Sequence, residues 1–203
     1  MLAPTWFLPH LAEQPLAVEA GATAAVVGAP FAGGRVSLGA PLGDRAQSTV
    51  AISGWSSSEA LGSAGLAWRA LDRERLDLGP FVALGGHLGP SVLDDRLAAR
   101  AGVALDLRGE RLALSASVPL VGGVWWRAPV HNRLGLMSPF ETLVSTELQG
   151  SLALGRSQLG LGLLGPNLMA SYGFQAERLG LQVAAGGSDQ LQLALTRIVW
   201  SPR

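Results

Sequence analysis

The chain has 203 residues, room for one large β domain, and is 48% hydrophobic but only 15% charged, against roughly 25% charged in an average soluble domain. Its fifteen basic and fifteen acidic residues cancel, and the basic ones stand singly, which excludes the clustered cationic footprint that nucleic acid requires. With no cysteine there is neither a disulfide framework nor a thiolate metal site. No apolar window reaches the roughly 18 to 20 residues that a membrane-spanning helix needs.

The opening "MLAPTWFLPHLAEQPL" is rich in proline and aromatics and predicts an irregular segment over 1–16. The first basic residue is Arg35, so the positive leading region of a secretory signal is missing. An exported protein is therefore expected to have lost its signal already. From residue 17 to the C-terminus the pattern alternates with period two, the mark of strands with two unlike faces. Weaker alternation covers 17–28, 34–43, 45–54 and 60–71. The clearest case is "RLDLGPFVALGGHLG" at 75–89, which puts Leu76, Leu78, Pro80, Val82, Leu84 and Leu88 on one face and Asp77, Gly79, Phe81, Ala83, Gly85 and His87 on the other.

"RLAARAGVALDLR" at 96–108 sets Leu97, Ala99, Ala101, Val103, Leu105 and Leu107 against Arg96, Arg100, Asp106 and Arg108. "RLALSASVPL" at 111–120 opposes Leu112, Leu114, Ala116, Val118 and Leu120 to Ala113, Ser115 and Ser117. The stretch 121–142 loses the alternation and is far longer than a median connection, so it is a functional loop, a small helix or a hairpin. Strands resume at 143–155, 158–164, 168–176, 178–186 and 190–200. In all, twelve segments qualify.

The connections alternate too. Tight charged turns follow at "GDR", "DRER", "RGER", "GRSQ" and "AER", while "APFAGG" from 29, "SGWSSSEA" from 53, "HLGPSVLDD" from 87, 121–142, "LGPN" from 164 and "GGSDQ" from 186 read as longer loops. Tight turns then lie at one end and loops at the other, and with both termini on the tight-turn side the number of up-and-down strands must be even. A soluble sheet would show water a face rich in charge; here the second face is glycine, alanine and scattered polar groups. The apolar face is therefore expected to meet lipid, and strands cross lipid only as a closed barrel with no unpaired edge. The predicted fold is all-β: a closed antiparallel transmembrane barrel of twelve strands over 17–200, or ten if the short 158–167 segment does not span.

Strands of about ten residues with short turns, long loops and terminal aromatics resemble the bacterial outer-membrane β-barrel superfamily. Trp55, Trp68, Trp125, Trp126 and Trp200 fall at strand ends, where aromatic girdles sit at headgroup level. "LQLALTRIVW" is similar to the terminal assembly strand of such barrels, with Arg197 interrupting the face of Leu191, Leu193 and Leu195. The resemblance implies an integral outer-membrane protein with the lipid bilayer as its partner, acting as a passive pore for small solutes or as a structural envelope component. The rival is a soluble barrel holding a hydrophobic ligand, with its leucines turned inward.

The inward face is then expected to carry Glu19, Arg69, Asp77, His87, Arg100, Asp106, Arg108, Glu147, Gln149, Gln175, Glu177 and Gln182. Buried charges must be paired or hydrated, so these form either a narrow wet channel or a paired plug. Phospholipases of this superfamily place Ser, His and a polar orienting residue on the outer wall. That makes His131 with Asn132, and His87, the candidates for a lipid-modifying enzyme. Three histidines without a carboxylate cluster make no metal constellation, and the glycine runs lack the strand-to-helix setting of a phosphate loop, so no cofactor is expected.

Overall fold

A computed structural model of the protein describes residues 11, 17–27, 29–55, 60–88, 96–126, 133–187 and 192–200. Period-two alternation suits a pleated strand, whose side chains point to opposite faces in turn, and most of the described chain takes that form. The elements are β1 (Ala17–Val27), β2 (Ala29–Leu42), β3 (Ala46–Trp55), β4 (Ala60–Trp68), β5 (Leu71–Arg73), β6 (Leu76–Leu88), β7 (Arg96–Arg108) and β8 (Leu112–Trp126). There follow β9 (Arg133–Leu136), α1 (Pro139–Ser145), β10 (Glu147–Leu154), β11 (Ser157–Leu164), β12 (Asn167–Gln175), β13 (Leu179–Gly187) and β14 (Gln192–Trp200).

All pairings are antiparallel, and β14 returns to β1 while β8 pairs with β10. The sheet therefore closes on itself. Both β4 and β5 pair with β6, Ala67 facing Phe81 and Leu71 facing Leu78, so they form one stave broken at Arg69 and Ala70. β9 pairs with β8 at 121–124, while β10 pairs with it at 112–117. Twelve staves result, and the eight-residue β11 is one of them, which removes the ten-strand alternative.

Leu38, Val50, Ile52, Val82, Leu84, Leu161, Leu168 and Leu181 are exposed on the outer face, and the alternate residues point into the lumen. The leucines look outward, which overturns the soluble, ligand-holding alternative. β14 departs from the expected orientation: Leu195 and Arg197 are buried inside, Leu193 is half-buried, and Thr196, Ile198 and Trp200 face out. The inward leucines have a use there. Leu195 packs with Met169 and Ala184 in a small apolar core inside the barrel, flanked by Leu193.

The predicted division into tight and long connections holds only in part. Residues 29–34 belong to β2, with Val27 facing Ala29: glycine and proline there lie within the strand instead of marking a loop. Leu164 faces Asn167 across a two-residue turn in which Gly165 has φ +59°, a left-handed conformation that glycine adopts without steric cost. Residues 121–142 contain both a hairpin and a helix. Ser138 caps α1: its Oγ accepts from the Glu141 amide at 3.3 Å and the Glu141 carboxylate accepts from the Ser138 amide at 2.8 Å, a reciprocal capping box with Pro139 in the first turn.

A lipid-spanning strand needs about 9 to 11 tilted residues, and β10 and β11 have eight each. α1 stands over these short staves, since the Gly165 amide donates to the Thr146 carbonyl at its C-terminus at 2.8 Å. Its Phe140, Leu143 and Val144 are exposed. A bulge sits on the opposite flank of β8: Gly102 faces Pro119 and Ala101 faces Val121, leaving Leu120 extra. A Cβ at residue 102 would collide with the Val118 carbonyl, so the bulge calls for glycine.

Candidate functional site

The polar interior falls into two clusters and one open region. In the first cluster Asp77 of β6 and Asp106 of β7 stand side by side in register, at 0% and 2% exposure. Two unpaired carboxylates could not stay ionised so far from water. Arg108 forms an ion pair with Asp77, and Ser115 donates to Asp106. The other Asp106 oxygen accepts a 2.9 Å hydrogen bond from the backbone amide of Leu11, a residue outside the barrel wall. Leu11 is itself 1% exposed and packs on Ala67, Phe81 and Ala104, the inward residues of β4, β6 and β7. Nearby, Arg69 is buried with its guanidinium on the Asp44 carbonyl at 2.7 Å and 4.0 Å from Asp72.

The second cluster joins β14, β13, β1 and β2. Arg197 donates through Nε and Nη2 to Gln182 Oε1, at 2.9 and 2.6 Å. Its Nη1 lies 3.8 Å from Glu19 Oε2, and the same oxygen accepts from Ser37 at 3.2 Å. Gln182 is 2% exposed and Arg197 5%. Further round the wall, buried Gln149 donates to Ser171 at 3.1 Å, and Glu147 is buried at the head of β10.

The open region follows the loop-side halves of β4, β6, β7 and β8. Inward positions here are small: Ser63, Gly65, Ala83, Gly85, Ala98 and Gly122 share the face with His87, Arg96 and Arg100. Arg96 and Arg100 are exposed and His87 half-buried. Arg35 lies inward and half-exposed on β2.

Of the residues singled out from the sequence, Glu19, Arg69, Asp77, Asp106, Arg108, Glu147, Gln149 and Gln182 occupy the polar clusters and the wall beside them, while His87 and Arg100 line the open region. Gln175 is exposed at the end of β12. Glu177 corrects the list: it sits exposed in the turn after β12, beyond the last inward position. Arg197 corrects it in the other direction, since it is a lumen residue with Leu195 beneath it. Arg35 could have been found from its alternation with the outward Val36 and Leu38, whereas no local signal marks Leu11.

Among the tryptophans, Trp68 and Trp200 are exposed on the outer face at the turn side, as a girdle requires. The extra residue Leu120 shifts the register above it, and Trp125 takes the outward register; the Trp126 side chain lies outside the described residues. The Trp55 side chain lies outside the described residues. So do His131 and Asn132, and among the described residues no histidine shares the outer wall with a serine.

No family model matches the sequence, and no curated protein is similar to it. Solved structures are similar in fold. The KdgM porin in complex with disordered oligogalacturonate superposes with a TM-score of 0.64 at 8% identity, over 92% of this chain and 99% of that one. The COG4313 outer membrane channel from Pseudomonas putida F1 gives 0.59 at 14% identity, over 94% and 97%. The chain has the bacterial outer-membrane β-barrel fold. Enzymes share that fold: the Salmonella typhi outer membrane phospholipase dimer with bound calcium gives 0.51 at 11% identity, over 95% and 92%. The barrel alone therefore leaves open whether it conducts or catalyses.

Proposed function

We propose that the protein is a passive channel of the bacterial outer membrane that admits small anionic solutes. The observation that carries this reading is the asymmetry of charge along the inward face. Asp77, Asp106 and Glu147 are buried, and Glu19 is held by Arg197 and Ser37, whereas Arg100 is exposed on the inward face. A cleft that shows one sign of charge between low-dielectric walls concentrates ions of the other sign. The KdgM porin, similar in fold, was captured with oligogalacturonate, a ligand of that charge class. The purified protein in a planar bilayer should give discrete current steps with a reversal potential favouring anions.

A structural envelope component is the second reading, favoured by the close packing of Phe81, Asp77, Gln182 and Arg197. Silence in the bilayer from protein that keeps heat-modifiable migration would leave that reading standing. A lipid-modifying activity requires hydrolysis or acyl transfer by the wild-type protein that disappears in His131→Ala or His87→Ala; no turnover of lipid by the wild-type protein argues against it. Cell fractionation tests the location: the protein should co-purify with outer-membrane markers.

A further inference from the structure

We infer that Arg35 and Glu147 reach toward each other across the lumen from opposite walls, and that this charge bridge confines solutes to the side lined by β3 to β8. The inference rests on the channel reading above. In the closed ring β2 stands six staves from β10 in either direction. The strands of a barrel tilt, so a register row followed from Arg35 climbs one way around the ring and descends the other. Through Gly21, Arg197 and Gln182 the row meets β10 at Ala153, six residues from Glu147 toward the turn side. Through Ser53 and His87 it meets β8 at Trp126. Ser117 faces Glu147, and Trp126 lies nine residues further along β8, one of them the extra Leu120. That row therefore meets the line of β10 eight residues from Glu147 toward the loop side. The depth of Arg35 falls midway, within one residue of Glu147 on the facing wall.

The charges agree with this placement. Arg35 points inward, and the carboxylate that acts on it most strongly is Glu147, ahead of Glu19 on the adjacent stave. Arg197 in turn lies in the field of Glu19 and Glu147. Two guanidiniums thus balance two carboxylates, as the burial of Glu147 demands. Beside the bridge the two halves of the lumen differ. Toward β11 to β14, Met169, Ala184 and Leu195 pack with Leu164 just on the loop side of the row through Gln182, so that half is filled. Toward β4 to β8 the inward residues near this depth are Gly65, Ala83 and Gly122, in one row with Arg100. Solutes therefore pass between Arg35 and Arg100, along one side of the bridge.

In planar bilayers Glu147→Gln and Arg35→Gln should each raise single-channel conductance roughly twofold, because pore diameter and lining charge together set conduction. Their selectivities should part: the first variant strengthens anion preference and the second weakens it. The contact is also read without conduction. The chain has no lysine, so Arg35→Lys supplies a unique side-chain amine, which a zero-length carbodiimide should join to Glu147 with loss of water, mapped by mass spectrometry of the digested protein. That product should vanish in Arg35→Lys/Glu147→Gln, and every variant should keep heat-modifiable migration. Attachment to Glu19 alone, or unchanged conductance in both glutamine variants, overturns the bridge while the channel stands. Silence from the wild-type protein overturns the channel and the confining role with it, even where Glu147 is joined.

Discussion

The two polar clusters in the lumen contain similar groups and differ in what holds them. Arg197, Gln182, Glu19 and Ser37 bridge β13, β14, β1 and β2, which are neighbours in the sheet. Backbone hydrogen bonds fix that geometry whether or not the side chains interact. Asp77, Arg108, Asp106 and Ser115 are equally wall-bound, but one Asp106 oxygen also accepts from the amide of Leu11, which no sheet register constrains. Loss of an interaction should therefore weaken the barrel in the Arg197 cluster and release Leu11 from the wall in the Asp106 cluster.

The largest effect is expected from Arg197→Leu. It leaves Glu19 with Arg35 alone as its cation and takes from Gln182 the donors to its carbonyl inside a nearly dry wall, and breaking a buried pair from one side costs about 3 to 5 kcal/mol. Urea unfolding of the barrel in micelles should show a lower midpoint with an unchanged slope, and a loss below about 1 kcal/mol would mean the network is hydrated. An arginine placed outside sharpens the contrast. Leu161, exposed at the middle of β11, faces the acyl chains, and Leu161→Arg should destabilise by roughly 2 to 4 kcal/mol; Leu154→Arg, at the end of β10, should cost about 0 to 1. Equal penalties at the two depths would mean that the outer face does not meet a bilayer.

Much of this was readable in advance. The outward leucines of 75–89 announce a lipid face because the opposite side is too small and too sparsely charged to meet water. β14 was misread because alternation shows that two faces differ without saying which one looks inward. Leu193 and Leu195 serve the interior core around Met169, so an arginine that seemed to break a lipid face was the true marker of the lumen. The bulge at Leu120 leaves no signature in hydropathy, because it is a single inserted residue, yet it sets the register of everything above it, Trp125 included. Leu11 was invisible for a different reason: its partner lies 95 positions away, and no local pattern records so distant a contact.

A control lies outside both clusters, at the cap of α1. Ser138→Ala should cost the helix about 1 kcal/mol, read as faster hydrogen exchange at the Thr142 amide, which donates to the Ser138 carbonyl. Glu141 is held down to about 2 from an ordinary 4.5 by hydrogen bonds from the Ser138 backbone, the Arg133 side chain and the Ser138 hydroxyl. Because the folded value is depressed, its contribution is full above about pH 4.5 and is lost as the pH falls toward 2. The protection factor at Thr142, its exchange rate relative to the intrinsic rate at the same pH, should fall across that window in wild type and stay flat in Glu141→Gln.

The smallest effect on stability is expected where the interior is open. Arg100 is exposed and faces Gly122 and Ala83 in register, so Arg100→Glu removes no packing, and its unfolding midpoint should shift by less than about 0.5 kcal/mol. Its effect on selectivity should be large, because the variant places an anion where the vestibule otherwise shows cations. In a tenfold KCl gradient the reversal potential should move toward cation preference, most strongly at low ionic strength, where the charge is least screened. A variant that conducts with unchanged selectivity would mean that solutes do not pass Arg100. The pathway would then have to be sought along the wall of β1 to β3.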